Sequence, residues 1–145
     1  MDSGKTALIT GASSGIGYEL TRLFAGDGYN LVLVARNQEQ LMQVADELKE
    51  KYGVSVKVTS KDLSAASAPE EIFRELQQES IEIDALVNNA GFATYGLFSE
   101  TDLDAALRMM QVNMVTLTHL TKLLLPGMLE RRRGKILNVA STAAF

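Results

Sequence analysis

Two hydrophobic periodicities alternate along this chain, and the alternation limits the fold more tightly than any other feature. Short apolar runs recur at residues 6–10 (TALIT), 30–35 (NLVLVA), 54–59 (VSVKVT), 85–91 (ALVNNAG, running into a loop) and 135–140 (KILNVA). Between them, apolar residues repeat at helical spacing. Ile16, Leu20, Leu23 and Phe24 recur at helical spacing and predict a first helix. Asn37 followed by Gln40 has capping-box spacing and opens a second, carrying Leu41, Val44, Ala45, Leu48 and Tyr52. Ser67 with Glu70, and Pro69 in the first turn, start a third bearing Ile72, Phe73 and Leu76. Thr101 is the predicted cap of a long helix from about Asp102 to Leu125, which Pro126 should kink or restart. Strands that alternate with helices pair in parallel, and right-handed crossovers distribute the helices over both faces. The expected fold class is therefore α/β, a doubly wound parallel sheet with five strands present. Such sheets bind ligands beyond the carboxyl ends of their strands, so the loops after each strand are where function should lie.

Composition narrows the function. The 145 residues, 46% hydrophobic and 22% charged, suit one domain with a substantial core. A net charge of −4 argues against a broad basic face for nucleic acid. The basic run Arg131, Arg132 and Arg133 reads as a solvated helix end that complements the helix dipole. With no cysteine, a disulfide framework and a thiolate metal site are both excluded. The N-terminal apolar run is too short for a signal peptide or a membrane span. The expectation is a cytoplasmic protein with no metal, no nucleic-acid partner and no membrane partner.

The loop after the first strand is the most informative segment. TGASSGIG, residues 10–17, joins a strand to a helix start. Gly11, Gly15 and Gly17 remove side chains where a backbone must approach a ligand. The helix then presents unpaired N–H groups and a partial positive charge, while Ser13 and Ser14 add hydroxyl donors. That combination suits a phosphate. Its G-x-x-x-G-x-G spacing is neither that of the P-loop nor the commoner G-x-G-x-x-G.

In this spacing the chain resembles the short-chain dehydrogenases/reductases, whose glycine motif is T-G-x-x-x-G-x-G. The likeness extends over the whole chain. NNAG (residues 88–91) ends strand four, Asp62 and Leu63 follow strand three, Asn113 lies in the long helix, and NVAS (residues 138–141) ends strand five. The resemblance implies a Rossmann-like fold and a nicotinamide dinucleotide as cofactor. The segment Gly11, Ser13, Ser14, Gly15, Ile16 and Gly17 would hold its pyrophosphate. Asp62 would accept from the adenine amino group, Leu63 would contribute backbone, and Asn89, Ala90 and Gly91 would pass the ribose and nicotinamide. Asn88 reads instead as a tie between strands, because a buried amide must satisfy its hydrogen bonds. The implied chemistry is hydride transfer between nicotinamide and a carbonyl or alcohol. Ser141 would bind the reacting oxygen and Asn113 would hold a water in a proton relay.

Strand two indicates which dinucleotide. A free ribose 2′-hydroxyl usually meets an acidic residue there, whereas this chain has Ala35 and Arg36. A guanidinium matches a 2′-phosphate with a fork of donors. At ~4 Å and an effective dielectric of ~20, one such pair is worth roughly 4 kcal/mol before screening. Even a third of that gives about tenfold preference. NADP(H) is the expected cofactor.

The resemblance also marks what these residues lack. The family's proton donor is a tyrosine with a lysine four residues later, shortly after the strand-five serine. Tyr18, Tyr29, Tyr52 and Tyr95 are followed at that spacing by Arg22, Leu33, Val56 and Ser99. Residues 1–145 are thus expected to form one dinucleotide-binding domain, incomplete at its C-terminus, that binds cofactor weakly without turning substrate over. A non-catalytic scaffolding module is the alternative. The lone His119 reads as structural, and the segment from Phe92 to Phe98 as an apolar wall for a small carbonyl or alcohol substrate. Met109, Met110, Met114, Leu117 and Leu120 offer more apolar surface than one sheet face covers, and the fifth strand should leave an open edge. A homo-oligomer is expected.

Overall fold

The structure, a computed structural model, describes residues 4–142. Five parallel strands, β1 (Thr6–Thr10), β2 (Asn30–Ala35), β3 (Val56–Ser60), β4 (Ala85–Asn88) and β5 (Lys135–Asn138), form one sheet in the order β3-β2-β1-β4-β5. The doubly wound α/β expectation therefore holds. The order reverses between β1 and β4, the switch point beside which sheets of this kind bind ligands. Register is continuous across the centre, with Leu8 opposite both Val32 and Leu86.

Alternation along the strands divides the core in two. Ala7, Ile9, Leu31, Leu33, Ala85 and Val87 face α1 (Gly15–Gly26) and α2 (Gln38–Tyr52). Leu8, Val32, Val34 and Leu86 point the opposite way, toward α3 (Ala68–Gln78) and the long helical segment from Leu103 to Glu130. The central strands are apolar on both sides because both sides are covered.

Several local expectations need correction. In α1 the buried seam is Gly17, Thr21 and Ala25, a four-residue repeat of small side chains that lets the helix lie close to the sheet. Leu20 and Phe24 pack beside it, but Ile16 and Leu23 face solvent. The Asn37 carboxamide caps α2 as predicted, accepting from the Gln40 N–H at 3.1 Å. Ser67 starts α3 without capping it: its hydroxyl donates to the Glu71 carboxylate instead, and its own backbone is already helical. β3 begins two residues later than the apolar run suggests, and β5 stops at Asn138.

The long helix is three pieces. Asp102, not Thr101, caps α4 (Leu103–Met110), accepting from the Ala105 N–H at 2.7 Å. Thr101 closes a preceding 3₁₀ turn (Phe98–Glu100) through the Phe98 carbonyl. A π-helical segment follows (Gln111–Thr116), then α5 (Leu117–Glu130), which continues through Pro126. Leu120 is buried in the core, so only part of the expected apolar excess is exposed. Leu103, Leu107, Met110 and Met114 form the exposed stripe.

The basic run is likewise more than a solvated end. Arg133 Nε donates to the Asp84 carboxylate at 2.7 Å, and Arg131 donates to the Ile83 carbonyl at 2.9 Å. Asp84 is 5% exposed and also accepts the Thr6 N–H at 2.9 Å. One carboxylate thus fastens the starts of β1 and β4 to the turn that launches β5, leaving the opposite, carboxyl edge of the sheet for the site.

Candidate functional site

The glycine loop is shaped by contacts that only glycine permits. Gly11 has φ +65°, and a Cβ there would lie 2.8 Å from Asn89 Nδ2. A Cβ on Gly17 would lie 2.0 Å from the Gly11 carbonyl oxygen. Gly15 differs: its φ is +55°, yet no atom stands within 4 Å of where a Cβ would be. Gly11 and Gly17 therefore close the loop on itself, while Gly15 borders open space. Ser14 at the start of α1 makes no side-chain capping bond, and the first turn carries no acidic residue. That helix end retains the polarity that attracts an anion. Ser13 is half-buried and Ile16 lies exposed above the sheet edge.

A threonine that sequence reasoning did not single out holds the site together. The Thr10 hydroxyl, at the end of β1, accepts from the Asn89 N–H at 3.0 Å and the Ala90 N–H at 2.9 Å. Asn89 returns its carboxamide N–H to the Thr10 and Gly11 carbonyls at 3.1 and 3.2 Å. The loops after β1 and β4 are thereby fixed as one unit. Its sequence signal was a hydroxyl at the end of an apolar run, where a buried polar group must have a partner. Asn88 is the expected tie: its amide donates to Thr121 Oγ1 on α5 and to Asn138 Oδ1 on β5.

The turns after β2 and β3 meet beside this unit. Ser60 donates its hydroxyl to the Arg36 carbonyl at 2.9 Å, and the Lys61 N–H reaches the Ala35 carbonyl at 3.0 Å. Asp62 Oδ1 accepts from the N–H and hydroxyl of Ser64 at 3.0 and 2.7 Å, so it shapes its own turn. These bonds hold its carboxyl below the usual carboxylate range, helped by the charges of Arg36 and Arg108. Ionised Asp62 is thus available as an acceptor throughout the neutral range. Leu63 is buried, and its carbonyl accepts from the Thr116 hydroxyl at 2.7 Å.

The π segment carries Asn113 to the loop after β4. Its carboxamide accepts from the Phe92 N–H at 3.1 Å and donates to the Phe92 carbonyl at 2.9 Å. A Cβ on Gly91 would come within 3.0 Å of the same carboxamide. Asn113 is therefore first a clamp on the loop, a role sequence spacing did not disclose. One N–H and one lone pair of its amide remain for other partners. Beyond the clamp, Tyr95 and Phe98 are 88% and 91% exposed, an apolar rim on the site. Ser141 lies just past β5 on the same edge, exposed. His119 faces Glu70 across α5 and α3 at 3.2 Å, away from these loops. Among the described residues no group of acidic, histidine or cysteine side chains is placed to hold a metal ion, and no helix is long and apolar enough to cross a membrane.

Fold and site together define a doubly wound α/β domain whose glycine loop and uncapped helix start lie at the sheet's switch point, with open space over Gly15. The chain belongs to the short-chain dehydrogenase family, whose pattern ("short chain dehydrogenase") matches residues 5–145. Among curated relatives it is 38% identical over 148 residues to a very-long-chain 3-oxoacyl-CoA reductase of Anas platyrhynchos, covering 98% of this chain and 46% of that protein. It is 37% identical over 138 residues to the uncharacterized oxidoreductase YmfI of Bacillus subtilis (strain 168), covering 94% of this chain and 56% of the relative. Its fold matches a short-chain dehydrogenase from Sphingobium yanoikuyae in complex with NADPH at TM-score 0.90, with 35% identity over 97% of this chain and 55% of the other. L-Sorbose reductase from Gluconobacter frateurii, complexed with NADPH and L-sorbose, matches at TM-score 0.92, with 34% identity over 99% of this chain and 54% of that one. The chain spans about half the length of the relatives it matches.

Proposed function

We propose that this chain is the dinucleotide-binding part of an NADP(H)-dependent oxidoreductase that moves hydride between nicotinamide and a carbonyl or alcohol. The observation that carries the reading is the uncapped start of α1, facing open space over Gly15, beside a loop that tolerates no side chain at Gly11 or Gly17. The pyrophosphate would lie there. The adenine would rest on the Asp62–Leu63 turn, and the nicotinamide would pass Asn89, Ala90 and Gly91. When bound, the cofactor supplies the hydride. Ser141 would orient the reacting oxygen, and the unused N–H and lone pair of Asn113 would hold a relay water.

Arg36 decides the choice of cofactor. It is exposed, its carbonyl is fixed by Ser60, and its charge acts on Asp62 at the corner where an adenosine 2′-phosphate would sit. Discounted for solvent screening, one such charge pair supports about a tenfold preference for NADPH over NADH. Calorimetry should show that preference shrinking as salt rises and vanishing in Arg36→Ala. Equal affinities in the unaltered chain would contradict the assignment.

The exposed stripe on α4 and the π segment, together with the solvent-facing β5, supports self-association. Light scattering should return dimers or larger species, and a monomer at high concentration would exclude this part of the reading.

A further inference from the structure

We infer that Thr116 is a positioning residue for the adenine end of the cofactor, acting through the Leu63 carbonyl. The inference rests on the dinucleotide reading above and adds to it a residue outside the glycine, Asp62 and Asn113 motifs.

Thr116 is 2% exposed, in surroundings where valine would fit the same space. Threonines in helices commonly turn the hydroxyl back on their own helix, as buried Thr21 and half-buried Thr121 do here. Thr121 donates to the Leu117 carbonyl at 2.7 Å, and Thr21 to the Tyr18 carbonyl at 2.6 Å. Thr116 does not. Its hydroxyl leaves the helix and donates at 2.7 Å to Leu63, 53 residues away in sequence. The bond is buried, and Leu63 itself is almost fully covered. It therefore fixes the height of the turn relative to the π segment.

The π segment explains how one stretch of helix reaches two loops. A turn closed by i→i+5 bonds holds more residues than an α turn, so side chains three apart diverge further than in an α-helix. Asn113 is directed at Phe92, on the nicotinamide side of the site, and Thr116 at Leu63, on the adenine side. Within the turn, Asp62 is braced by Ser64. Without Thr116 that brace would keep the turn's shape, while on the side facing the π segment the Leu63 carbonyl would lose its hydrogen bond. The remaining space among Thr10, Leu63, Ala90, Val112 and Thr116 is about 10 Å³, room for one water at most to replace the lost donor.

The test uses adenosine 2′,5′-bisphosphate as a probe of the adenine end. T116V keeps the side-chain shape and removes the donor. It should weaken the probe about tenfold, within the range expected when a buried acceptor loses its partner. T116S should bind within about twofold of the unaltered chain. In amide NMR spectra with NADPH, the shifts of Gly15, Ile16 and Gly17 should persist in T116V while those of Asp62, Leu63 and Ser64 change. Unweakened probe binding in T116V, failure of serine to restore it, or equal disturbance of both sets of amides would overturn the inference. If T116V does not fold, the unaltered chain decides: Thr116 resonances should move on adding the bisphosphate, and their failure to move refutes the role. A chain that binds neither NADPH nor the bisphosphate would refute the dinucleotide reading itself; one that binds both while T116V matches it would refute only the role of Thr116.

Discussion

Gly17→Ala is expected to lose NADPH affinity on the order of 10²-fold and to lower the melting midpoint as well. The new methyl carbon would stand 2.0 Å from the Gly11 carbonyl oxygen and 2.5 Å from Asn89 Nδ2. Both atoms belong to the unit that Thr10 and Asn89 build across β1 and β4, and neither is the free end of a flexible side chain. Relief requires α1 to rise from the sheet or the loop to open. Overpacking of this kind costs about 1–3 kcal/mol, and a hundredfold loss of affinity corresponds to about 2.7 kcal/mol. Gly15→Ala is the informative contrast. Its Cβ meets nothing in the protein, so stability should fall only by the ~1–2 kcal/mol of a left-handed alanine. Binding should nevertheless suffer, because the methyl would occupy the space assigned to phosphate. Calorimetric titration with thermal melts separates the two. Intact NADPH binding in Gly15→Ala would place the phosphates elsewhere.

The second large effect concerns turnover. The 145-residue chain contains no tyrosine with a lysine four residues on. Ser141 and Asn113 can hydrogen-bond, but neither titrates near neutrality. Hydride delivered to a carbonyl without an acid leaves an alkoxide. Loss of a general acid alone forfeits on the order of 10²–10⁴ in rate. NADPH oxidation with small ketones and aldehydes should therefore run at least that far below ordinary enzyme rates of about 10 s⁻¹. Ordinary turnover by these residues would point to another acid, and Tyr95 on the exposed rim is the first to replace with phenylalanine.

What the sequence disclosed, and what it did not, follows from the range of the interactions. The strands of the sheet centre were legible because Leu31, Val32, Leu33 and Val34 are buried on both faces, which leaves a continuous apolar run. α2 was legible because its cap and apolar stripe are local. In α1 the helical spacing of Ile16, Leu20, Leu23 and Phe24 marked the helix but not its buried seam: close approach to the sheet favoured Gly17, Thr21 and Ala25, and small residues carry little hydrophobic signal. The π segment was invisible because it differs from an α-helix by a shift of register, not of composition. Thr10, Asp84 and Thr116 act through partners 79, 78 and 53 residues away, a pairing that only the folded topology specifies. The glycine motif was the exception among site features, since its constraint is both local and steric.

The central claim is that a dinucleotide phosphate rests on the start of α1. Amide NMR of the isotopically labelled chain during NADPH titration tests it most directly. Saturable shifts should appear first at Gly15, Ile16 and Gly17, with companion shifts at Asp62, Leu63, Ala90 and Gly91. Titration without shifts at residues 15–17, or with saturable shifts confined to other surfaces, would contradict the account.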